Sequence, residues 1–522
     1  MKTIKYLMGT LVLAAAMTSC NSFLEVTPID PNANTADKAL TSEAAFTQYL
    51  AGVYSGYAVP GYYGGNGSPN ISGLDGGAST YLRGLYNLNE LTTDESVCGW
   101  NDGTIKDLHW GVWTSADAFI YAFYSRIFMQ VSAANEFIHQ AKASSLNFAK
   151  KDEYIAEARV LRAIAYLHAI DNFGNVPFAT ENDVVGAFPS QISRADLYTW
   201  MEEELLDLIN GNVLAEPRAN GYSRVDKGVA KFILAKLYLN AEVYSGTAQW
   251  QKCADVLKDL MDDGYALHTT PNGGIYSAYQ DLFLADNDTC TEEIIFGVQH
   301  DGVNTTSYGG TNYLIFASVG GTMDPAEFGI SSGWGGLRTT PEFYDKFTTG
   351  DARKLFWDDV VSGGDQKKSI DDIGEFTNGF GFMKFRNMNS DGTPGKEAGF
   401  ADTDFPLFRY ADVLLMAAEC EANGAAVDGY AGFNQVRNRA GLAAIATPSL
   451  QEILDERGRE LYQECWRRSD LVRFGLFTSG NYLWQWKGNT KDGAAIEEYR
   501  NLFPIPDSDL LANNKLSQNE GY

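Results

Sequence analysis

The sequence predicts a mainly α fold in which helix pairs form a curved array and an irregular, loop-rich lobe interrupts it. Three observations carry this. Apolar residues recur three to four positions apart in many segments, the period of a helix with one buried face. Small residues such as Ala158, Ala230, Ala235, Ala417 and Ala418 fall on those faces, so neighbouring helices can approach closely. Residues 270–405 are rich in Gly and Asp and show little periodicity of either kind.

Along the chain, residues 20–40 read as a tether, with Pro28, Pro31, Asn32 and Asn34 and little periodicity. A helix is expected over 41–57, opened by the N-cap signal Thr41-Ser42-Glu43. Residues 58–112 form a long Gly-, Asn-, Tyr- and Trp-rich stretch without a regular helix, and a loop of that length in a compact protein is usually functional. Helices are expected over 115–142 and 152–172. In the second, Val160, Ile164, Leu167 and Ile170 mark one stripe, and Asn172-Phe173-Gly174-Asn175 with Pro177 ends it. Further helices are expected over 194–210, over 225–245 with Ala230, Leu234, Leu237 and Ala241 aligned, and over 249–263, closed by Gly264. Three more cover 408–423, 428–440 and 449–474. Short turns between them give a tetratricopeptide-like array, though without a clean period of about 34 residues. The reading is a single body over 41–522, with repeats over about 41–57, 115–265 and 406–475. Its binding lobe spans about 58–112 and 270–405.

The start of the chain places the body. Met1 to Lys5 is short and basic, Tyr6 to Met17 is mostly apolar, and Thr18 and Ser19 precede Cys20. This is the layout of a secretory signal over 1–19. The apolar run is too short to cross a bilayer core, which takes roughly 20 residues. A cysteine at the cleavage point resembles a bacterial lipoprotein signal in which Cys20 is lipidated. The expected product is an exported body anchored to a membrane, which excludes cytoplasmic metabolism and nucleic acids. With 40 basic and 67 acidic residues the formal charge is −27. Without Lys2 and Lys5 it is −29, a surface that repels phosphates and anionic headgroups and suits a neutral ligand. Of six cysteines, the five after Cys20 are scattered with no C-x-x-C, so buried free thiols are expected rather than disulfides or zinc.

No enzyme motif is present: no H-E-x-x-H, no G-x-S-x-G and no Walker loop. The five histidines are dispersed, with His139 and His168 on helices as packing or surface residues. Asp286 and Asp288 form the one weak candidate for a structural Ca²⁺, though two acids in a loop more often make a turn. Three clusters stand out: Trp100-Asn101-Asp102, Tyr308-Gly309-Gly310, and Trp334 within Ser332-Gly333-Trp334-Gly335-Gly336. Each ring is flanked by small or polar residues that bury it poorly. Such rings can stack on the apolar faces of sugar units while nearby polar groups bond the hydroxyls. Equally, each can plug its own loop, and spacing alone leaves both open.

The C-terminal blocks carry a resemblance. Asp404 to Gly424, Phe433 to Gly441, Glu456 to Leu461, Arg467 to Gly475 and the ending Phe503-Pro504-Ile505-Pro506 to Tyr522 are similar to the SusD/RagB family. Upstream, Glu157 to Ala163 with Phe173-Gly174-Asn175-Val176-Pro177 fits as well. The resemblance covers nearly the whole mature chain. It implies four tetratricopeptide-like helix pairs supporting a binding lobe. It also implies a non-enzymatic, lipid-anchored outer-membrane protein facing outward, which binds a glycan and partners a SusC-like TonB-dependent transporter. Asn89-Glu90-Leu91, Asp301-Gly302-Val303 and Tyr482 to Gly488 bring the chain nearest the family's starch-binding member, implying starch or another α-glucan as cargo. By that likeness an aromatic arc falls on Trp100, Tyr308 and Trp334, and polar contacts fall on Asp75 and Arg83. An asparagine contact of the family aligns with Gly103, so Asn101 or Asp102 is expected to replace it. The alternatives are another glycan such as a fructan, a peptide, a structural subunit of the transporter, or, most remotely, a surface glycosidase.

Overall fold

The computed structural model of the chain describes residues 36–184 and 186–522; the signal and Cys20 lie outside the described residues. The main helices are α1 (Glu43–Ser55), α2 (Tyr81–Asn89), α3 (Ala118–Ala143), α4 (Lys151–Asn172), α5 (Arg194–Asn210), α6 (Lys227–Leu239), α7 (Trp250–Asp262), α8 (Thr311–Ser318), α9 (Tyr410–Ala422), α10 (Gly429–Arg439), α11 (Leu450–Leu461) and α12 (Arg467–Arg473). Local chemistry explains many of their starts. Asp117 accepts from the N–H groups of Phe119 and Ile120 at the head of α3, Ser193 and Asp226 cap α5 and α6, and Ser449 with Glu452 makes a capping box on α11. The expected stripe on α4 is fully inside: Val160, Ile164, Leu167 and Ile170 are buried.

The helices stack in sequence: α3 on α4, α5 on α6, α6 on α7, α7 on α9, and α9 on α10 and α11. This is the tetratricopeptide-like scaffold. Its close approaches use small residues, among them Ala417 from the sequence reading and two glycines that it did not single out. A Cβ on Gly429 would sit 2.2 Å from the Ala417 carbonyl oxygen, and one on Gly432 2.9 Å from the Leu414 side chain. So α10 lies almost in backbone contact with α9.

Three expectations need correction. The helix expected over 225–245 is split at Asn240 into α6 and a short helix over Ala241–Ser245. Residues 58–112 contain helices after all: α2, entirely buried, and a short one over Ile105–Trp110. The aromatic, Gly and Asn content of this stretch disguised α2, whose polar residues Arg83, Asn87 and Asn89 are buried along with its apolar ones. The helix expected over 449–474 is two helices, broken where Gln463 and Cys465 adopt φ of 61° and 71°. Neither Gly nor Pro signals that break. It is imposed from a distance: the Gln463 N–H bonds the Glu95 carboxylate, and Arg467 forms a bidentate pair with Asp94 at 2.8 Å.

Short strands organise the lobe. A four-stranded antiparallel sheet runs β1 (Val97–Cys98), β5 (Leu337–Thr339), β7 (Phe380–Phe382), β6 (Phe356–Trp357), and β4 (Ile294–Val298) pairs antiparallel with β8 (Phe405–Arg409). β2 (Val176–Phe178) pairs with β3 (Ser190–Ile192) at the edge of the scaffold. Beneath the lobe lies a buried ionic lattice. Arg409 bonds Glu293, Glu460 and Glu464; Arg353 bonds Asp351, Glu456 and Glu460; Arg439 bonds Glu293 and Glu460. Charges this deep persist because each is paired and hydrogen-bonded.

Candidate aromatic binding site

The pairing of β1 with β5 builds the site. Val97 faces Arg338 and Cys98 faces Leu337, and the ladder continues as the Gly99 N–H donates to the Gly336 carbonyl at 3.2 Å. Trp100 therefore lands beside Trp334, 234 positions later in the chain. The Trp100 Nε1–H donates to the Trp334 carbonyl at 3.1 Å, and the two ring centroids are 6.3 Å apart. Gly336 makes room: a Cβ there would lie 2.5 Å from the Trp100 ring. Trp334 is held from below by α8, its N–H on the Phe316 carbonyl at 2.7 Å and its ring 4.9 Å from the Phe316 ring.

Tyr308 continues the row, 6.4 Å from Trp334 and 39 % exposed. Its hydroxyl donates to Asn66 Oδ1 at 3.1 Å. The three rings expected from the sequence thus form one contiguous, partly exposed arc. Phe400 extends it, 4.9 Å from Tyr308. Sequence reasoning missed Phe400; its only signal was another ring after a glycine, Gly399, in a segment without periodicity.

The polar residues meet at Gly77. A Cβ at Gly77 would lie 3.2 Å from Asp75 Oδ1, 3.3 Å from Tyr308 Cβ and 3.7 Å from Arg83 Nη1. Asp75 is exposed, oriented by accepting the Ala78 N–H at 3.0 Å. Arg83 comes from α2 and is 8 % exposed, with its guanidinium 4.7 Å from the Tyr313 ring, 5.5 Å from Trp100 and 5.7 Å from Phe119. Its ion-pair partner is Asp102 at 3.9 Å, and its Nε has no hydrogen-bond partner. The rings hold the cation in place, with its Nη groups toward Asp102 and the Gly77 turn. At the position expected to lose a contact, Gly103 has φ of +50° and open space about its Cβ. Of its two neighbours, Asp102 reaches Arg83, whereas Asn101 Oδ1 accepts from Lys106 Nζ at 2.8 Å.

Asp286 and Asp288 lie elsewhere, on a cavity of 560 Å³ that Asp301, Asp402 and Asp404 also line. Asp286 is already engaged, accepting from the Ser390 N–H and hydroxyl at 2.9 and 2.6 Å. Burial pushes the Asp404 carboxyl up to about 7. Among the described residues, no group of three or more His, Cys, Asp or Glu is set to hold a metal ion. The five described cysteines are buried and free. His168 is buried against the Tyr81 hydroxyl at 2.7 Å, and His139 is exposed.

Known proteins are similar to this chain in sequence and in fold. The family model described as the SusD family matches residues 360–522. The starch-binding protein SusD of Bacteroides thetaiotaomicron is 33 % identical, over 98 % of this chain and 97 % of its own length. SusD-like protein P25 of Formosa agariphila is 26 % identical over 97 % of each. Among solved structures, surface glycan-binding protein A of Bacteroides thetaiotaomicron in complex with laminarihexaose superposes with a TM-score of 0.69 at 19 % identity, covering 92 % of this chain and all of that one. A SusD superfamily protein of Parabacteroides distasonis gives 0.70 at 23 %, with the same coverage. At these identities the two structures carry the fold. Among the described residues, no helix is long and apolar enough to cross a membrane.

Proposed function

The chain belongs to the SusD family, and from that premise we propose that it binds a glycan at the cell surface, with starch or a related α-glucan as cargo. The observation that carries the cargo is the arc: Trp100, Trp334 and Tyr308 at 6.3 and 6.4 Å spacing, with Asp75, Arg83 and Asp102 along its edge. The 33 % identity to a starch-binding relative supports the same choice. Rings tilted about 50° to one another suit a curved chain, each stacking on a successive sugar while the charged groups take its hydroxyls. Cys20 anchors the body to the outer membrane, and the bound chain passes to a partner TonB-dependent transporter. An exposed groove of this kind binds weakly, and a tether beside the transporter compensates by raising effective concentration. The protein itself performs no chemistry on the glycan.

Affinity electrophoresis in gels of starch, dextran, levan, xylan and laminarin tests the cargo; laminarin belongs in the panel because a neighbour of the same fold is a laminarin-binding protein. Retardation in starch, abolished by Trp100→Ala with Trp334→Ala, is expected. Migration unchanged in starch but slowed in another gel reassigns the cargo. Reducing-sugar release by the pure protein would overturn the non-catalytic reading. Replacing Cys20 by Ala is expected to shift the protein out of the membrane fraction.

A further inference from the structure

The loop over residues 60–79 runs along the Tyr308 end of the arc and carries Asp75. It is firmly held. The buried Arg126 guanidinium donates to the Pro60 carbonyl at 3.1 Å and the Ser79 carbonyl at 2.7 Å, closing the loop at its base. Its middle lies flat on the site. The Gly65 N–H donates to Thr306 Oγ1 at 3.2 Å, and Asn66 accepts from the Tyr308 hydroxyl. A Cβ on Gly64 would meet Thr306 at 2.5 Å, and one on Gly65 would meet Phe400 at 2.8 Å. The two residues before this contact are Tyr62 and Tyr63, 90 % and 76 % exposed, with rings edge to face at 5.1 Å. Two or three Cα steps of about 3.8 Å separate them from the backbone resting on Phe400. Two large rings left in water on an anchored loop do nothing for the core. Their rigid, amphipathic surfaces match what binding sites use for contact at low entropic cost.

We propose that Tyr62 and Tyr63 form an outer subsite that continues the arc beyond Tyr308 and Phe400, taking sugar units of a glucan chain too long for the arc alone. This rests on the reading of the arc as a glucan site. The subsite makes affinity grow with chain length and favours polymer over short oligosaccharide.

The test is calorimetric titration of the full chain with two ladders, linear α-1,4-glucan oligosaccharides and laminarin oligosaccharides, each from trimer to polymer. Tyr62→Ala with Tyr63→Ala is compared with the unaltered protein. The expected result is unchanged trimer affinity and about a tenfold loss for the longest chains, the equivalent of one good contact. Equal loss at every length would overturn the proposal, since it would mean a displaced Asp75 or Tyr308 rather than a lost subsite. No loss at any length overturns it as well, and leaves the arc standing if Trp334→Ala still weakens binding. Should the unaltered protein bind neither ladder, the glucan reading falls and the subsite with it. Circular dichroism confirms folding, and Tyr62→Phe with Tyr63→Phe, which keeps the stacking faces, should retain the length dependence.

Discussion

At the scale of single residues, the site depends on glycines as much as on rings. Gly336 is the clearest case, because the Trp100 indole occupies the space a Cβ would take. Gly336→Ala is therefore expected to push the indole off the row and weaken glycan binding several-fold. Overpacking of this kind costs stability by only about 1–3 kcal/mol, so the fold should survive. Titration beside a melting curve separates the two effects. Asp102 and Asn101 differ in the same concrete way. Asp102 faces Arg83, whereas Asn101 is turned to Lys106. Asp102→Ala should lower affinity by a factor of a few, while Asn101→Ala changes it less; the reverse order would assign the replaced contact to Asn101. This choice was not legible in the sequence. Both residues directly precede Gly103, and only the fold shows that α2 delivers Arg83 to one of them.

At the scale of elements, the helices were legible because they depend on local signals: the Thr41-Ser42-Glu43 N-cap, the α4 stripe, and the Asn172-Phe173-Gly174 stop. The failures came where distant partners decide. α2 is buried on all sides, so its polar residues Arg83, Asn87 and Asn89 face protein as its apolar ones do. The break between α11 and α12 answers to Asp94 and Glu95, more than 360 positions away in sequence. The arc rings were legible as unusual residues from spacing and as neighbours only through the family resemblance, since the β1–β5 ladder that brings Trp100 to Trp334 is only a few residues long. Elements also differ in what they tolerate. Ser449→Ala removes one cap and should cost about 1 kcal/mol, with glycan binding unchanged. Glu460→Gln is far more severe. Its carboxylate serves Arg353, Arg409 and Arg439 together, all within the buried lattice. Removing one partner of a buried pair costs about 3–5 kcal/mol, and denaturant titration of the two variants should reproduce that ordering.

At the scale of the whole molecule, two opposed sets of buried carboxylates shape stability against pH. In the lattice, burial alone would raise Glu460, but Arg439, Arg409 and Arg353 outweigh it and hold the carboxyl at about 2. Its unfolded value is near 4.5. The folded state therefore binds fewer protons over that interval, and the contribution is complete above pH 4.5 and lost as pH falls toward 2. Glu95 has the opposite sign. Burial, with Asp94 adding repulsion and the Gln463 N–H and Arg467 opposing, carries its carboxyl up to about 8, beside a Glu90 that burial and Glu95 itself also raise well above the usual carboxyl range. Here the folded state keeps a proton the unfolded chain releases, so the contribution is complete below pH 4.5 and fades as pH rises through 8. From these groups stability should fall on both sides of an optimum near pH 4.5, and on the alkaline arm the net charge of −27 at pH 7 adds its own repulsion. Glu95→Gln isolates one arm, because an amide mimics the protonated acid and still accepts the Gln463 N–H. Chemical denaturation from pH 2 to 9 should show the variant losing less stability than the unaltered protein between pH 5 and 8, with the acid arm unmoved. Parallel curves for the two proteins would mean that Glu95 stays ionised in the fold and that the break between α11 and α12 is held by a charged, not a protonated, carboxyl.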